Sequence, residues 1–229
     1  MVVLDPERRP TGPCALRPIL RTMDARKHWE AVYDSKDATE VSWYQAEPSI
    51  SLELIRRVMP DRDGAIIDVG GGASTLVDRL LADGYGQVTV LDVSEHGLEQ
   101  AQGRLGGDVA RVTWIVDDVL TADLPRSYDF WHDRAVFHFL TDEHDRRRYV
   151  EQVTRSVPVG GFVAVATFAS DGPTHCSGLE VARYEPDELH AQFGADFRLL
   201  ESAREEHVTP SGSVQPFTYC MCRVGDTAA

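Results

Sequence analysis

Three acids and a glycine cluster carry the chemistry that this sequence offers. Residues 65–75 read AIIDVGGGAST: an apolar run ending in Asp68, then Gly70, Gly71 and Gly72, then Ser74 where a helix should begin. A strand, a glycine turn and a helix N-terminus make a seat for a nucleotide. Backbone N–H groups and the helix dipole favour an anionic group there, and glycine lets the backbone approach without a Cβ in the way. About twenty residues further on, where the nucleotide patterns want an acid, QVTVLD ends in Asp92, whose two oxygens can accept both hydroxyls of a ribose. Asp118 follows the next apolar run, RVTWIVD.

Two nucleotide patterns compete for the glycine turn. The dinucleotide fingerprint G-x-G-x-x-G finds Gly70 and Gly72, but Thr75 stands in its third slot, where glycine permits close helix–strand packing. The pattern D-x-G-x-G-x-G finds Asp68, Gly70 and Gly72, with Ser74 replacing the last glycine. Each acid also has a plain structural use: Asp68 can cap a turn, and Asp92 can cap the helix predicted in SEHGLEQ.

Stepping outward from these residues, strands and helices alternate. AIIDVG, QVTVLDVS, RVTWIVDDV, the start of YDFWHDRAVFHFL, and FVAVATFA read as strands. STLVDRLLADG, EHGLEQAQGRL and TDEHDRRRYVEQVTRSV read as helices, the first closed by Gly84 and the last with Thr141 at its N-cap. Near-continuous apolar strands between helices predict an α/β fold with a doubly wound, mostly parallel seven-stranded sheet. The end departs from this rhythm: GPTHCSGLEVARY reads as a polar loop, EPDELHAQFG as a short helix begun by Pro186, and the last segment as two strands around TPSGS. These predict a C-terminal antiparallel hairpin. Before the glycine turn, MDARKHWEAVYD and SISLELIRRVM read as helices, the second with Ser49 at its N-cap, joined by the aromatic loop EVSWYQAEP. Residues 1–22 hold four prolines and four arginines without periodicity and read as a flexible extension. Residues 23–60 then form a helical lid segment, 61–224 the ligand-binding domain, and 225–229 a tail.

Five segments in order resemble the class I, seven-stranded S-adenosylmethionine-dependent methyltransferases. IIDVGGGAST is similar to the family's first motif, VTVLDVS to its second strand, WIVDDVLTADLP to GDAxDLP, YDFWHDRAVFHFL to FDLVxxxxVLHHL, and VPVGGFVAV to LKPGGxLxI. HWEAVY and VSWY resemble branches that include thiopurine and protein lysine methyltransferases, without selecting between them. The resemblance, over about residues 24–224, implies sheet order 3-2-1-4-5-7-6 with helices on both faces, and S-adenosylmethionine as cofactor, held by Asp68, Gly70, Gly71, Gly72, Ser74, Asp92, Val93, Asp118, Val119 and Asp133. Asp68 would take the ammonium, Asp92 the ribose, Asp118 and Val119 the adenine. From the N-terminal segment, His28, Trp29, Tyr33, Trp43 and Tyr44 are candidate lid residues, with Trp29 and Trp43 chosen to cover the methionine end. Asp133, Arg134 and His138 follow the fourth strand, where ligands sit in open α/β sheets, and are the candidate catalytic groups, Asp133 or His138 as base. An Asp133–Arg134 ion pair and a satisfied helix histidine are the structural alternatives. His175, Cys176, Arg183, Tyr184, His207 and Gln215 are polar tips that could frame an acceptor pocket.

Composition narrows the partners. The 229 residues carry a formal charge of −14, which disfavours nucleic acid and anionic membranes and leaves a small-molecule acceptor, or a basic protein, in play. No apolar run approaches the length of a membrane span. Cys14, Cys176, Cys220 and Cys222 form no Cys-x-x-Cys pair and no metal pattern, which suits a reducing cytoplasm and predicts no metal. A soft thiolate trio of Cys176, Cys220 and Cys222, suited to a metalloid acceptor, competes with their use as small core residues. Either a monomer or a homodimer is compatible. Three rival functions stand beside methyl transfer. An NAD(P)-dependent oxidoreductase wants a Tyr-x-x-x-Lys pair, yet Lys27 and Lys36 both precede the glycine turn and no other lysine exists. A propylamine transferase would use the Asp117–Asp118 pair for a polyamine. A non-catalytic module would hold the cofactor as a sensor.

Overall fold

The computed structural model describes residues 17–225. Residues 1–16, with Cys14, and residues 226–229 lie outside the described residues. Helix α1 spans Arg17–Ser35 and α2 spans Ser49–Val58, so the helical segment begins before the Met23 start expected from the sequence. Alternation then sets in: β1 (Ile66–Val69), α3 (Leu76–Asp83), β2 (Val88–Asp92), α4 (Glu95–Leu105), β3 (Val112–Val116), β4 (Phe130–Arg134), α5 (Glu143–Ser156) and β5 (Phe162–Phe168). Two-residue strands β6 (His175–Cys176) and β7 (Leu179–Glu180) pair inside the expected polar loop. Helix α6 (Pro186–Ala191) and the long strands β8 (Phe197–Val208) and β9 (Val214–Val224) finish the chain.

Among the described residues the main sheet has seven strands in the order β3-β2-β1-β4-β5-β9-β8. The first five are parallel and the β8–β9 hairpin is antiparallel. Counting only these strands, the order is the expected 3-2-1-4-5-7-6. Strands β1, β2 and most of β4 are buried on both faces, because helices cover both. One core gathers Leu52 and Ile55 of α2, Leu76 and Leu80 of α3 and Leu98 of α4 against Ile66 and Phe130. The other gathers Tyr149 and Val153 of α5 and Leu189 of α6 against Ile67 and Trp131. Adjacent strand residues thus feed opposite cores, the period-two rule at work.

Local signals explain most boundaries. Gly84 closes α3 in the left-handed region at φ 95°. Ser94 caps α4 by accepting from the Gly97 N–H. Two expected caps are corrected. Thr141 does not cap α5; Asp142 does, accepting from the His144 N–H at 2.8 Å, since a carboxylate serves a helix dipole better than a hydroxyl. Ser49 is the first helical residue of α2, after Pro48, and makes no cap bond to the helix. Among the described residues no helix is long and apolar enough to cross a membrane.

Candidate functional site

The carboxyl ends of β1, β2 and β4 bring the sequence-predicted acids and glycines to one crevice. The register places Asp68 beside Val90 on one side and His132 on the other. The glycine turn folds back on β2, with the N–H groups of Gly70 and Gly71 both directed at the Leu91 carbonyl. Gly70 has φ 68°, and a Cβ there would lie 2.0 Å from Val136 Cγ2, so no other residue fits the turn as built. Ser74 caps the start of α3, its hydroxyl accepting from the Leu76 N–H at 3.1 Å.

Asp68 is 3% exposed. Its Oδ1 lies 2.7 Å from His132 Nδ1, while its Oδ2 has no hydrogen-bond partner. A buried carboxylate oxygen left bare is costly unless something fills the place. Asp68 borders a small cavity of about 40 Å³ that also meets Ser51, Gly70, Ser74, Trp43 and Arg134.

Asp92 ends β2 and is also buried. Its Oδ1 accepts from the Ser94 N–H at 2.8 Å, and the Gly72 N–H donates to the same carboxylate. Burial, aided by the charge of Asp68, pushes Asp92 up to about 7 despite those donors. Val93 beside it is half-buried. Asp118, past the end of β3, accepts from the Leu120 N–H at 2.9 Å and is half-buried, with Val119 buried next to it. Asp92 thus lies close to Asp68, and the Asp117 N–H joins the end of β3 to the Asp92 carbonyl.

Tyr33 of α1 is the residue that sequence reasoning undervalued. Its hydroxyl sits where a Cβ of Gly72 would meet it at 2.2 Å, and its ring packs on Gly97. The Ala73 N–H and the Trp43 indole N–H both donate to the hydroxyl, and burial drives its pKa well up. The expected lid pair stands beside it. Trp29 and Trp43 are 5.7 Å apart edge to face, and Trp29 also meets Phe139 at 5.2 Å. All three are aromatics at helical or loop positions; only the contact with Gly72 separates Tyr33 from the rest, and sequence spacing does not encode it.

The three candidate catalytic groups divide. Asp133 is corrected: it is fully buried on the α5 face, opposite Asp68 and His132. It accepts from the Val136 N–H at 2.9 Å, the Phe137 N–H at 3.1 Å and the Tyr149 hydroxyl at 2.6 Å. Burial raises it to about 6. Those bonds hold the turn after β4, where Ala135 takes φ 77°, a strained value for a residue with a Cβ. Asp133 faces the core under α5, and it makes no ion pair with Arg134. Arg134 instead meets Glu205 at 3.2 Å and Tyr219 at 3.0 Å, donates to the Trp43 carbonyl, and lies 4.0 Å over the Phe217 ring. His138 is fully buried between Phe139 and Phe168, at ring distances of 4.4 and 4.9 Å. Neither of its nitrogens has a partner, contrary to a satisfied helix histidine. Burial, with help from Arg134, lowers it to about 3.

The outer candidates scatter. His207 Nε2 meets the Ser42 carbonyl at 2.7 Å and its ring faces Phe217. Arg183 donates to the Gly172 carbonyl, Tyr184 packs on Phe137, and His175 is exposed. The thiolate trio is corrected: Cys220 and Cys222 lie 3.4 Å apart in the core under α5 and α6, whereas Cys176 belongs to the core on the other face. Among the described residues no cluster of metal-ligating side chains occurs.

The crevice suits S-adenosylmethionine on its own terms: a bare carboxylate oxygen for an ammonium, a second acid for a diol, and a glycine turn that a Cβ would obstruct. Comparison with known proteins agrees. Residues 66–161 match the family described as methyltransferase domain. Human EEF1A lysine methyltransferase 2 is 23% identical over 197 residues, covering 78% of this chain and 76% of the relative. Malonyl-[acyl-carrier protein] O-methyltransferase of Anoxybacillus flavithermus is 35% identical over 111 residues, 48% of this chain and 41% of the relative. The structure of Burkholderia thailandensis 1,6-didemethyltoxoflavin-N1-methyltransferase, with bound 1,6-didemethyltoxoflavin and S-adenosylhomocysteine, superposes with TM-score 0.63 at 19% identity, over 96% of this chain and 93% of that one. Residues 66–161 thus carry a methyltransferase domain, and the chain has the fold of the class I S-adenosylmethionine-dependent methyltransferases.

Proposed function

We propose that the acceptor of this methyltransferase is a small molecule, taken up beside Arg134 and His138. When bound, S-adenosylmethionine supplies an electrophilic methyl carbon on its sulfonium. The chain's own residues then have three tasks. Asp68 accepts from the cofactor's ammonium, Asp92 from the ribose hydroxyls, and Asp118 with Val119 meets the adenine. Tyr33, Trp29 and Trp43 close the methionine end, keeping water from the reacting atoms. The enclosure aligns the acceptor for in-line attack, a contribution of up to about 7–11 kcal/mol in the best intramolecular cases.

The observation that carries the acceptor reading is the aromatic cluster after β4. His138, Phe139, Phe168 and Trp29 form a contiguous aromatic wall, and His138 brings two unspent hydrogen-bonding nitrogens to it. Such a wall fits a compact, largely apolar acceptor with one or two polar atoms. The similarity to EEF1A lysine methyltransferase 2 supports a second reading, a protein side chain. An acidic surface would favour a basic partner of that kind.

Calorimetry with S-adenosylhomocysteine and NAD tests the cofactor assignments. Micromolar binding of the former alone is expected, and Asp92→Ala should weaken it by about 1–3 kcal/mol. Unchanged binding by a folded Asp92→Ala variant would remove the ribose assignment. Turnover against small molecules and lysine-rich proteins then decides the acceptor; methylation of proteins alone would overturn the small-molecule reading.

A further inference from the structure

Three buried side chains from three elements stand in one row under the glycine turn. Ser51 in the first turns of α2, His132 in the middle of β4 and Asp68 near the end of β1 are 1%, 4% and 3% exposed. Ser51 Oγ lies 2.8 Å from His132 Nε2, and His132 Nδ1 lies 2.7 Å from Asp68 Oδ1. The connectivity is that of a Ser–His–Asp triad. Here its serine end is held in the packing of α2, whose neighbours Leu52 and Ile55 are fully buried, and Ser51 and Asp68 line the same small cavity. The unsatisfied end is Asp68 Oδ2, which is buried against Gly71 and has no partner.

A lone buried carboxylate has two ways to fail as a cation receptor. It can rotate away, or it can take a proton. The imidazole opposes both. By donating Nδ1–H to Oδ1 it fixes the carboxylate plane and stabilises the ionised form. Ser51 in turn donates to Nε2, which fixes the tautomer in which Nδ1 carries the hydrogen. The arrangement matches the way an outer hydrogen bond orients a metal-bound histidine, with a carboxylate now the group being aimed. A cavity of about 40 Å³ holds one to a few water-sized groups, a size suited to an ammonium rather than a ring.

We infer that His132 and Ser51 are positioning residues that aim Asp68 Oδ2 at the α-ammonium of the cofactor. The inference rests on the cofactor placement proposed above. It predicts a signature that depends on the ligand's amino group and not merely on folding.

The experiment measures, by calorimetry on the full chain, affinity for S-adenosylhomocysteine and for its desamino analogue, which has hydrogen in place of the α-amino group. Wild type should prefer the amino form by about tenfold or more, the usual scale of a hydrogen bond to a charged group. In His132→Leu that preference should fall below about threefold, with the desamino analogue bound nearly as in wild type. His132→Asn retains a donor at the Nδ1 position and should restore most of the preference; Ser51→Ala should lose part of it. An equal loss for both ligands would make the row merely structural and overturn the inference. An undiminished preference in His132→Leu and Ser51→Ala would overturn it too. Thermal melts identify a variant that fails to fold, and Ser51→Ala, the mildest change, then decides alone. If wild type binds neither ligand, the cofactor placement itself is wrong.

Discussion

At the scale of single residues, two buried groups make opposite demands on pH. Burial lifts Asp92 to about 7, so the folded chain retains a proton that the unfolded chain loses near the ordinary carboxylate value. Stability from that proton is complete below about pH 4 and is lost as pH rises through about 7. A ribose diol donates to the ionised carboxylate, so the affinity for S-adenosylhomocysteine should rise with pH, by about tenfold between pH 6 and 8. Asp92→Asn should flatten the profile; calorimetry across that range checks it, and a flat wild-type profile would sink it. His138 runs the other way. Burial holds it neutral down to about 3, so its contribution is present above about pH 6.5 and is lost as acid protonates the unfolded chain, down toward pH 3. Two unpartnered nitrogens in a packed core gain nothing for stability. His138→Phe should therefore melt no lower than wild type at pH 7.5 while kcat/KM falls more than tenfold. A lower melting temperature with intact turnover would assign the imidazole to the core instead.

At the scale of elements, α1 covers the site by gripping one helix end. Glu30 of α1 accepts from the Ser94 hydroxyl at 2.8 Å, the Glu95 N–H at 2.9 Å and the His96 N–H at 3.1 Å. It is an N-cap supplied from another helix, placed where a negative charge suits the dipole of α4. One turn later, Tyr33 reaches Gly72 and its carbonyl accepts from Gln100. Glu30→Ala should destabilise the chain by about 1–2 kcal/mol and raise amide exchange in residues 24–35 well beyond that of β1. Unchanged exchange in α1 would mean that other contacts hold it. The sequence announced α1 through its helical spacing of Trp29 and Tyr33, but not what it caps, because a cap between helices has no spacing rule. The β4 segment is the converse case. WHDR is a polar run in a strand buried on both faces, and period two alone places His132 and Arg134 opposite Asp133 in part: His132 falls with Asp68, and Asp133 with the α5 core. That alternation was available in the sequence and separates the positioning histidine from the aspartate that holds the turn.

At the scale of the whole molecule, the alternation of strands and helices and the strand-end positions of Asp68 and Asp92 were legible because each is written in consecutive residues, and the strand order followed from the family resemblance. The pairs that close the site were not legible, since they join residues far apart in the chain through register. Arg134 shows this best. It ends β4, yet its charge is met by Glu205 of β8, its Nε by the Tyr219 hydroxyl of β9, and another of its nitrogens by the Trp43 carbonyl in the loop before α2. Tyr219 also donates to Glu205 at 2.8 Å, and Gln45 bonds the same carboxylate. The hairpin that completes the sheet is therefore pinned to the aromatic loop through one guanidinium. Arg134 and Glu205 keep side-chain exposures of only 8% and 14%, so solvent screens them little. Removing one partner strands the other, and Glu205→Leu or Arg134→Met alone should cost about 3 kcal/mol in urea unfolding. Replacing both with these apolar residues removes both charges and should recover at least half of the summed loss, since the pair offsets its own desolvation. Turnover should stay low in the two variants that lack Arg134, because the Trp43 carbonyl loses its donor and the loop beside the proposed cofactor site loosens with it. Additive single and double losses would show that the two charges act independently, and the hairpin would then be fastened by the β5–β9 ladder alone.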